Sequence, residues 1–311
     1  MIEYLKRLDK KEKLRKINSI SEDCWIKCID PSEEELDNLA KKFKLRKDLL
    51  IDGLDVYENP RIEQDKGIVY IFLRAPIPEN MSQMKLEQDS SGSFLIVLTK
   101  DNIISISKTE LELFGILKEA KGLYTNNRSL TTLLVLSTIS KIFGNSVREI
   151  MKTVKKDKSN ISHYNEQDLF KLVIKEDTIN DYLSSFSPLI DINKQIIGIK
   201  SLKFTEEEKE YIEDLAIDLN QTLNTCKNAI KNISNIRDYY TATLTNKLNK
   251  TITLLTFFTV FLTIPTIIFS LYGMNINLPF QQHPLVFELI LAGILIGWGF
   301  LFFLLKKLKM I

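Results

Sequence analysis

Between Asn249 and Gly273 the side chains able to bind a cation keep to one helical register. Steps of about 3.5 residues lead from Asn249 to Ile252, Thr256, Thr259, Thr263, Thr266, Ser270 and Gly273. Six of those eight positions carry an amide or a hydroxyl, one is glycine, and one, Ile252, is a large apolar residue. The positions between them are mostly Leu, Ile, Phe and Val. A seam of this period faces a partner helix or an axis shared by several helices. Two chemistries fit it. The hydroxyls can hold a pair of helices together, a common use of Ser and Thr. Alternatively they line a wet path, because neutral oxygens suit a cation that keeps part of its water shell, as Mg²⁺ does.

The rest of the chain offers little other chemistry. No nucleophile–base set gathers around the two histidines, His163 and His283. Cys24, Cys28 and Cys226 fit a reducing compartment. Cys24 and Cys28 share one face of an expected strand with Ile26, which points to packing and not to a metal site. With 42 Lys and Arg against 40 Asp and Glu, the formal charge of +2 leaves no nucleic-acid footprint. No glycine-rich phosphate loop is visible either. The expectation is a non-enzyme with no organic cofactor and no nucleic-acid partner.

The seam sits inside the most apolar part of the chain. Two runs, Leu254–Leu271 and Leu285–Leu305, are each long enough to cross a hydrocarbon core of ~30 Å at ~1.5 Å per residue. Glu288 is the one formal charge between Leu254 and Leu305 at neutral pH. Lys247 and Lys250 precede the first run, and Lys306, Lys307 and Lys309 follow the second. The positive-inside rule places both termini in the cytoplasm and the Asn275 loop outside. The start of the chain is charged and lacks the apolar core of a secretory signal. A multi-pass plasma-membrane protein is expected, with the lipid bilayer as partner. Gly293 and Gly297 form a small-xxx-small pair expected to pack the second run against the first. Pro265 is expected to bend the first run slightly.

Upstream, residues 1–125 read as a cytosolic α/β domain. Strands are expected at Trp25–Asp30, Gly67–Arg74, Ser93–Thr99 and Asn102–Ser107. Helices are expected from Pro31, over Asp48–Leu54, and from a Thr109 cap to Lys121. Residues 126–203 read as a helical hairpin, Ser129–Val154 and Glu166–Ile196, with a polar tip at Lys155–Asn160. Thr205 and Glu208 have capping-box spacing and open a helix with no breaker before Pro265. Residues 204–253 are its cytosolic stalk, and 254–311 the two-helix transmembrane domain with a basic tail. Asn228, Lys231, Asn235, Asp238, Ala242 and Thr245 carry the seam's register back into the stalk. The fold class is α+β with transmembrane helices.

Tyr272, Gly273, Met274 and Asn275, ending the first of two carboxy-terminal spans, resemble the YGMN signature of CorA-type magnesium transporters. Asn246 and Asn249 are similar to that family's Asn-x-x-Asn at the inner mouth. Trp25–Asp30 with Pro31, and Asn59–Ile62, resemble its amino-terminal landmarks, so the similarity covers nearly the whole chain. It implies a funnel-shaped homopentamer with a selectivity filter of Gly273, Met274 and Asn275. The Asn275 amides would hold hydrated Mg²⁺ through its first-shell waters. Asn249, Ile252, Thr256, Thr259, Thr263, Thr266 and Ser270 would line the pore. An intersubunit regulatory Mg²⁺ would sit between Asp52 and Asp214. Asp55, Glu213 and Asp218 are nearby alternatives, and ordinary surface acids are the competing reading. Two departures stand out: Thr263 replaces a bulky apolar residue frequent in the family, and Leu278–Gln281 lacks the acid many members carry after GMN. The resemblance implies Mg²⁺ uptake driven by the membrane potential and gated by cytosolic Mg²⁺, with Co²⁺ and Ni²⁺ as further ions. The rivals are Zn²⁺ transport and a membrane-tethered interaction protein without transport.

Overall fold

The computed structural model describes every residue except 10–11, 78–89, 121, 159–165, 277, 280–282 and 308–311. His163, Phe280, Gln281 and Lys309 therefore lie outside the described residues. The chain divides into two compact units, Met1–Ile236 and Arg237–Ile311.

The first unit is built on a seven-stranded mixed sheet: β1 (Ile2–Lys6), β2 (Arg15–Ile17), β3 (Trp25–Ile29), β4 (Arg61–Asp65), β5 (Ile68–Pro76), β6 (Ser91–Leu98) and β7 (Ile103–Ser107). The spatial order is β2-β1-β3-β7-β6-β5-β4, and β3–β7 is the parallel pair. Alternate residues of one strand enter opposite cores. Ile71 and Leu73 join Phe94 and Ile96 on one face; Tyr70 and Phe72 join Leu95 and Val97 on the other. Because both faces are covered, β5 and β6 are almost wholly apolar instead of alternating.

Helices α1 (Glu33–Phe43) and α2 (Lys47–Asp52) cover the face containing Cys24, Ile26 and Cys28. A capping box starts α1: the Ser32 hydroxyl accepts from the Glu35 amide at 3.2 Å, and Glu35 accepts from the Ser32 amide at 2.9 Å. Helices α3 (Glu112–Glu119), α4 (Arg128–Lys158) and α5 (Glu166–Ile196), with the start of α6 (Glu206–Tyr272), cover the other face. The last helix is α7 (Val286–Lys307).

Thr109 does not cap α3, which starts later, with Leu111 at the cap position and no side-chain cap bond. The Thr109 carbonyl instead accepts the Ser107 hydroxyl at 2.9 Å, and buried Leu111 anchors the helix start. The Thr205–Glu208 capping box does form, at 2.9 and 3.2 Å, and α6 continues through Pro265 for 67 residues. The sequence predicts no strand at β1, β2 or β4, because charged residues make up most of β2 and β4 and break the short apolar run of β1. On the edge strands β2 and β4 that charge is paired in place, Lys16 with Glu3 of β1 at 3.0 Å and Arg61 with Glu63 at 2.7 Å.

Among the described residues, three helices are long and apolar enough to cross a membrane, and burial separates them. The stretch in α4 is 72% buried inside the protein, against 0% in α6 and 6% in α7. The α4 side chains spend their apolar surface on the core, while the other two leave theirs for lipid.

Candidate functional site

The second unit contains the hairpin of α7 against the end of α6. Their contact is made by Trp298, whose ring stacks on Phe261 with centroids 3.9 Å apart. Phe257 also touches Phe261, and Ile264 and Ile268 face Ile294 and Trp298 across a groove of about 270 Å³. At about 100° per residue, Phe257, Ile264, Ile268 and Tyr272 all fall within about 60° of Phe261. Ile252 and Ser270 fall about 180° round from it, and Thr256, Thr259, Thr263 and Thr266 within about 40° of that opposite line. Asn249 and Gly273 flank it. The polar seam thus lies on the side of α6 turned away from α7, and every one of its residues is exposed in the single chain. Within one chain the hydroxyls do not glue the two spans together.

The threonines share one hydrogen-bonding pattern. Thr256 donates to the Ile252 carbonyl at 2.9 Å, Thr259 to Leu255 at 2.9 Å, Thr263 to Thr259 at 2.7 Å and Thr266 to Leu262 at 2.7 Å. Each hydroxyl hydrogen is spent inside the helix. What each oxygen has left to offer is its lone pairs, so the seam is a row of acceptors. Acceptors suit the waters around a cation, whose hydrogens point outward.

Gly273 and Met274 turn the chain off the helix end. The Gly273 amide donates to Phe269 at 2.9 Å and the Met274 amide to Leu271 at 3.3 Å. A Cβ on Gly273 would lie 3.2 Å from the Phe269 carbonyl oxygen, so close backbone approach is what glycine supplies here. Met274 and Asn275 are exposed beyond it. Tyr272, read from sequence as an interfacial anchor or packing residue, donates its hydroxyl to the Pro279 carbonyl at 3.3 Å and ties the middle of the loop back to the end of α6. Gly293 and Gly297 do not provide the close contact expected of them. Both line the groove, and a Cβ at either would meet nothing within 4 Å. The stacked Trp298 and Phe261 rings occupy the contact instead.

The two acids of the expected regulatory site lie in the first unit. Asp52 ends α2, where Gly53 comes so close to the sheet that a Cβ would sit 2.6 Å from Leu95. The Gly53 carbonyl accepts the Ser93 hydroxyl at 2.7 Å, which fixes the position of Asp52. Arg61 reaches Asp52 at 3.3 Å while also pairing with Glu58 and Glu63. Asp52 therefore already has a cationic neighbour in its own chain, beside the expected metal shared with Asp214. Asp214 is exposed on α6. Among the described residues, no three His, Cys, Asp or Glu side chains of one chain form a metal-binding group. Sequence reading also missed Lys27, a strand lysine buried against Glu110 at 2.7 Å and over the Phe114 ring at 4.2 Å. An unpaired lysine amid apolar strand residues was the available signal.

The family profile described as CorA-like Mg²⁺ transporter protein matches residues 21–307. The chain belongs to this family. CorA-like proteins are membrane transporters of divalent cations, and both unburied apolar helices of this member fit that setting. A curated relative, the cobalt/magnesium transport protein CorA of Methanocaldococcus jannaschii, is 25% identical over 277 residues, covering 86% of this chain and 85% of its own. The complete structure of the CorA magnesium transporter from that organism superposes with a TM-score of 0.81 at 21% identity, covering 99% of this chain and 98% of the other. The cytoplasmic domain of ZntB from Vibrio parahaemolyticus has the same soluble fold, with a TM-score of 0.61 at 9% identity over 78% of this chain and 98% of its own.

Proposed function

We propose that this CorA-like protein is a Mg²⁺ channel of the plasma membrane, assembled from several copies around the seam of α6. The observation that carries the reading is the placement of that seam. It lies opposite the face that α7 occupies, with its hydroxyl hydrogens spent and its oxygens exposed. Polar positions at membrane depth face protein or water, so a face that α7 leaves free is one for other copies to enclose. Five-fold assembly is taken from the family resemblance.

In this reading the ion enters past the Asn275 amides, which bind its shell waters weakly enough to release them. It then passes Ser270, Thr266, Thr263, Thr259 and Thr256, and leaves by Ile252 and Asn249. Both termini lie in the cytoplasm, on the side of Lys247, Lys250, Lys306 and Lys307. An inward divalent ion gains about 4.6 kcal/mol per 100 mV, twice the about 2.3 of a single charge, so no chemical fuel is needed. Co²⁺ and Ni²⁺ have shells of similar size and share the path. The Methanocaldococcus relative is named for both cobalt and magnesium, and the ZntB likeness concerns the fold alone.

Cytosolic Mg²⁺ closes the channel by bridging Asp52 of one copy and Asp214 of the next, as hard oxygen ligands suit. Exposed Ile51 and Ile217, at 47% and 56%, lie next to Asp52 and near Asp214 and give such an interface apolar contact. The test is ion flux into vesicles holding the purified protein. Mg²⁺ entry that rises as the interior is made negative, and falls as interior Mg²⁺ accumulates, is expected. Flux indifferent to both would overturn the reading.

A further inference from the structure

Pro265 stands inside α6, where its nitrogen carries no hydrogen for the carbonyl four residues back, that of Phe261. In a hydrocarbon environment no water takes that place, and an unmet carbonyl is costly. The second span supplies the donor. Trp298 Nε1–H donates to the Phe261 carbonyl oxygen at 3.1 Å. The same indole lies flat on the Phe261 ring, with planes 16° apart, so the stack holds the N–H where the carbonyl needs it. One residue on, the Thr266 hydroxyl donates to the Leu262 carbonyl at 2.7 Å, which reinforces the break from the seam side. Thr263 sits between Phe261 and Pro265 on the opposite face, so the break falls at the level of the seam.

We propose that Trp298 is a positioning residue for the ion path. Its indole N–H stands in for the helix hydrogen bond that Pro265 removes. The second span thereby keeps the outer part of the seam, Thr263 to Ser270, in line with the inner part, Asn249 to Thr259. Proline sites are where long helices kink, and a donor held at the orphaned carbonyl opposes that bending. Packing alone would need the ring but not its N–H. The role in conduction rests on the channel reading; the hydrogen bond does not.

The experiment compares Mg²⁺ flux through the full-length protein in vesicles for four versions: wild type, Trp298→Phe, Pro265→Ala and the double variant. Phenylalanine keeps an aromatic ring for the stack and drops the donor, while Pro265→Ala returns a backbone N–H to the Phe261 carbonyl. Trp298→Phe should lower flux about tenfold when Pro265 is present, as expected if the aligned form of the seam loses the worth of one part-buried hydrogen bond. In the Pro265→Ala background the same change should cost less than about twofold. Equal losses in both backgrounds, or no loss in either, overturn the proposal. Should Trp298→Phe fail to assemble, the ultraviolet resonance Raman difference between wild type and Pro265→Ala decides, because Trp25, whose N–H donates to Ser105 at 2.8 Å, is common to both and cancels. An indole N–H band that shifts toward a weaker bond in Pro265→Ala supports the clamp, and an unchanged band overturns it. Absence of Mg²⁺ flux in wild type overturns the channel reading and the conduction role, while the band still decides the bond.

Discussion

Thr263 donates its hydroxyl to the Thr259 carbonyl at 2.7 Å, and both residues stand on the face of α6 that α7 leaves uncovered. A hydroxyl satisfied within its own helix contributes little to holding two spans of one chain together. It can still accept a hydrogen bond from water. Replacing both residues by Val keeps the side-chain shape and deletes two acceptors from each copy. Mg²⁺ flux through the Thr259→Val, Thr263→Val protein should fall about tenfold, with stability changed by less than about 1 kcal/mol. Unchanged flux with a lower melting temperature would return the seam to the role of helix glue.

The Arg61 contact to Asp52 makes a prediction that the acids alone do not. Protease resistance should rise with Mg²⁺ in wild type and lose that dependence in the Asp52→Ala, Asp214→Ala protein. Arg61 competes with the metal for Asp52 at 3.3 Å. Arg61→Gln should therefore lower the Mg²⁺ concentration needed for protection, by roughly threefold to tenfold. An unchanged requirement would show that Asp52 is not a ligand.

Lys27 is buried, with 2% of its side chain exposed, while its partner Glu110 is 45% exposed. Removing the acid strands an ammonium in the core, whereas removing the lysine leaves a carboxylate that water can reach. Glu110→Ala should cost about 2 kcal/mol, discounted for the solvent already at the pair, and Lys27→Met about 1 or less. Denaturant unfolding of the two variants checks the order, and the reverse order would contradict it.

Burial pushes the Cys28 thiol up to about 12 and the Cys226 thiol up to about 11. Both folded values lie above the usual 9.0, so the folded state holds the neutral thiol. Below pH about 9 their contribution is fully present, and it is lost as pH rises through about 11 and 12. Maleimide labelling of the folded protein at neutral pH should be slow at both sites, and urea should need to unfold the chain before they react. Fast labelling of Cys28 without unfolding would contradict its burial.

How much of this was legible in sequence depended on whether a signal was local. The seam, the Thr205–Glu208 box and the unbroken run of α6 follow from spacing along one helix, and the structure has the box and the run as read. Strands β5, β6 and β7 are apolar enough to announce themselves, whereas β1, β2 and β4 hide behind charges that the sheet pairs, Lys16 with Glu3 across β2 and β1 and Arg61 with Glu63 along β4. Gly293 and Gly297 have the spacing of a packing motif, but the bulk of Trp298 on Phe261 leaves a groove beside them. The carbonyl that Pro265 orphans can be counted from sequence. Its donor, 37 residues away, cannot.

Asn275 gives the most direct test of the ion path. Mg²⁺ flux into vesicles should be measured for wild type and Asn275→Ala at equal protein and equal potential. Flux in the wild type, with a loss of at least about tenfold in the variant, is the predicted result. Equal flux in the two proteins would contradict the account.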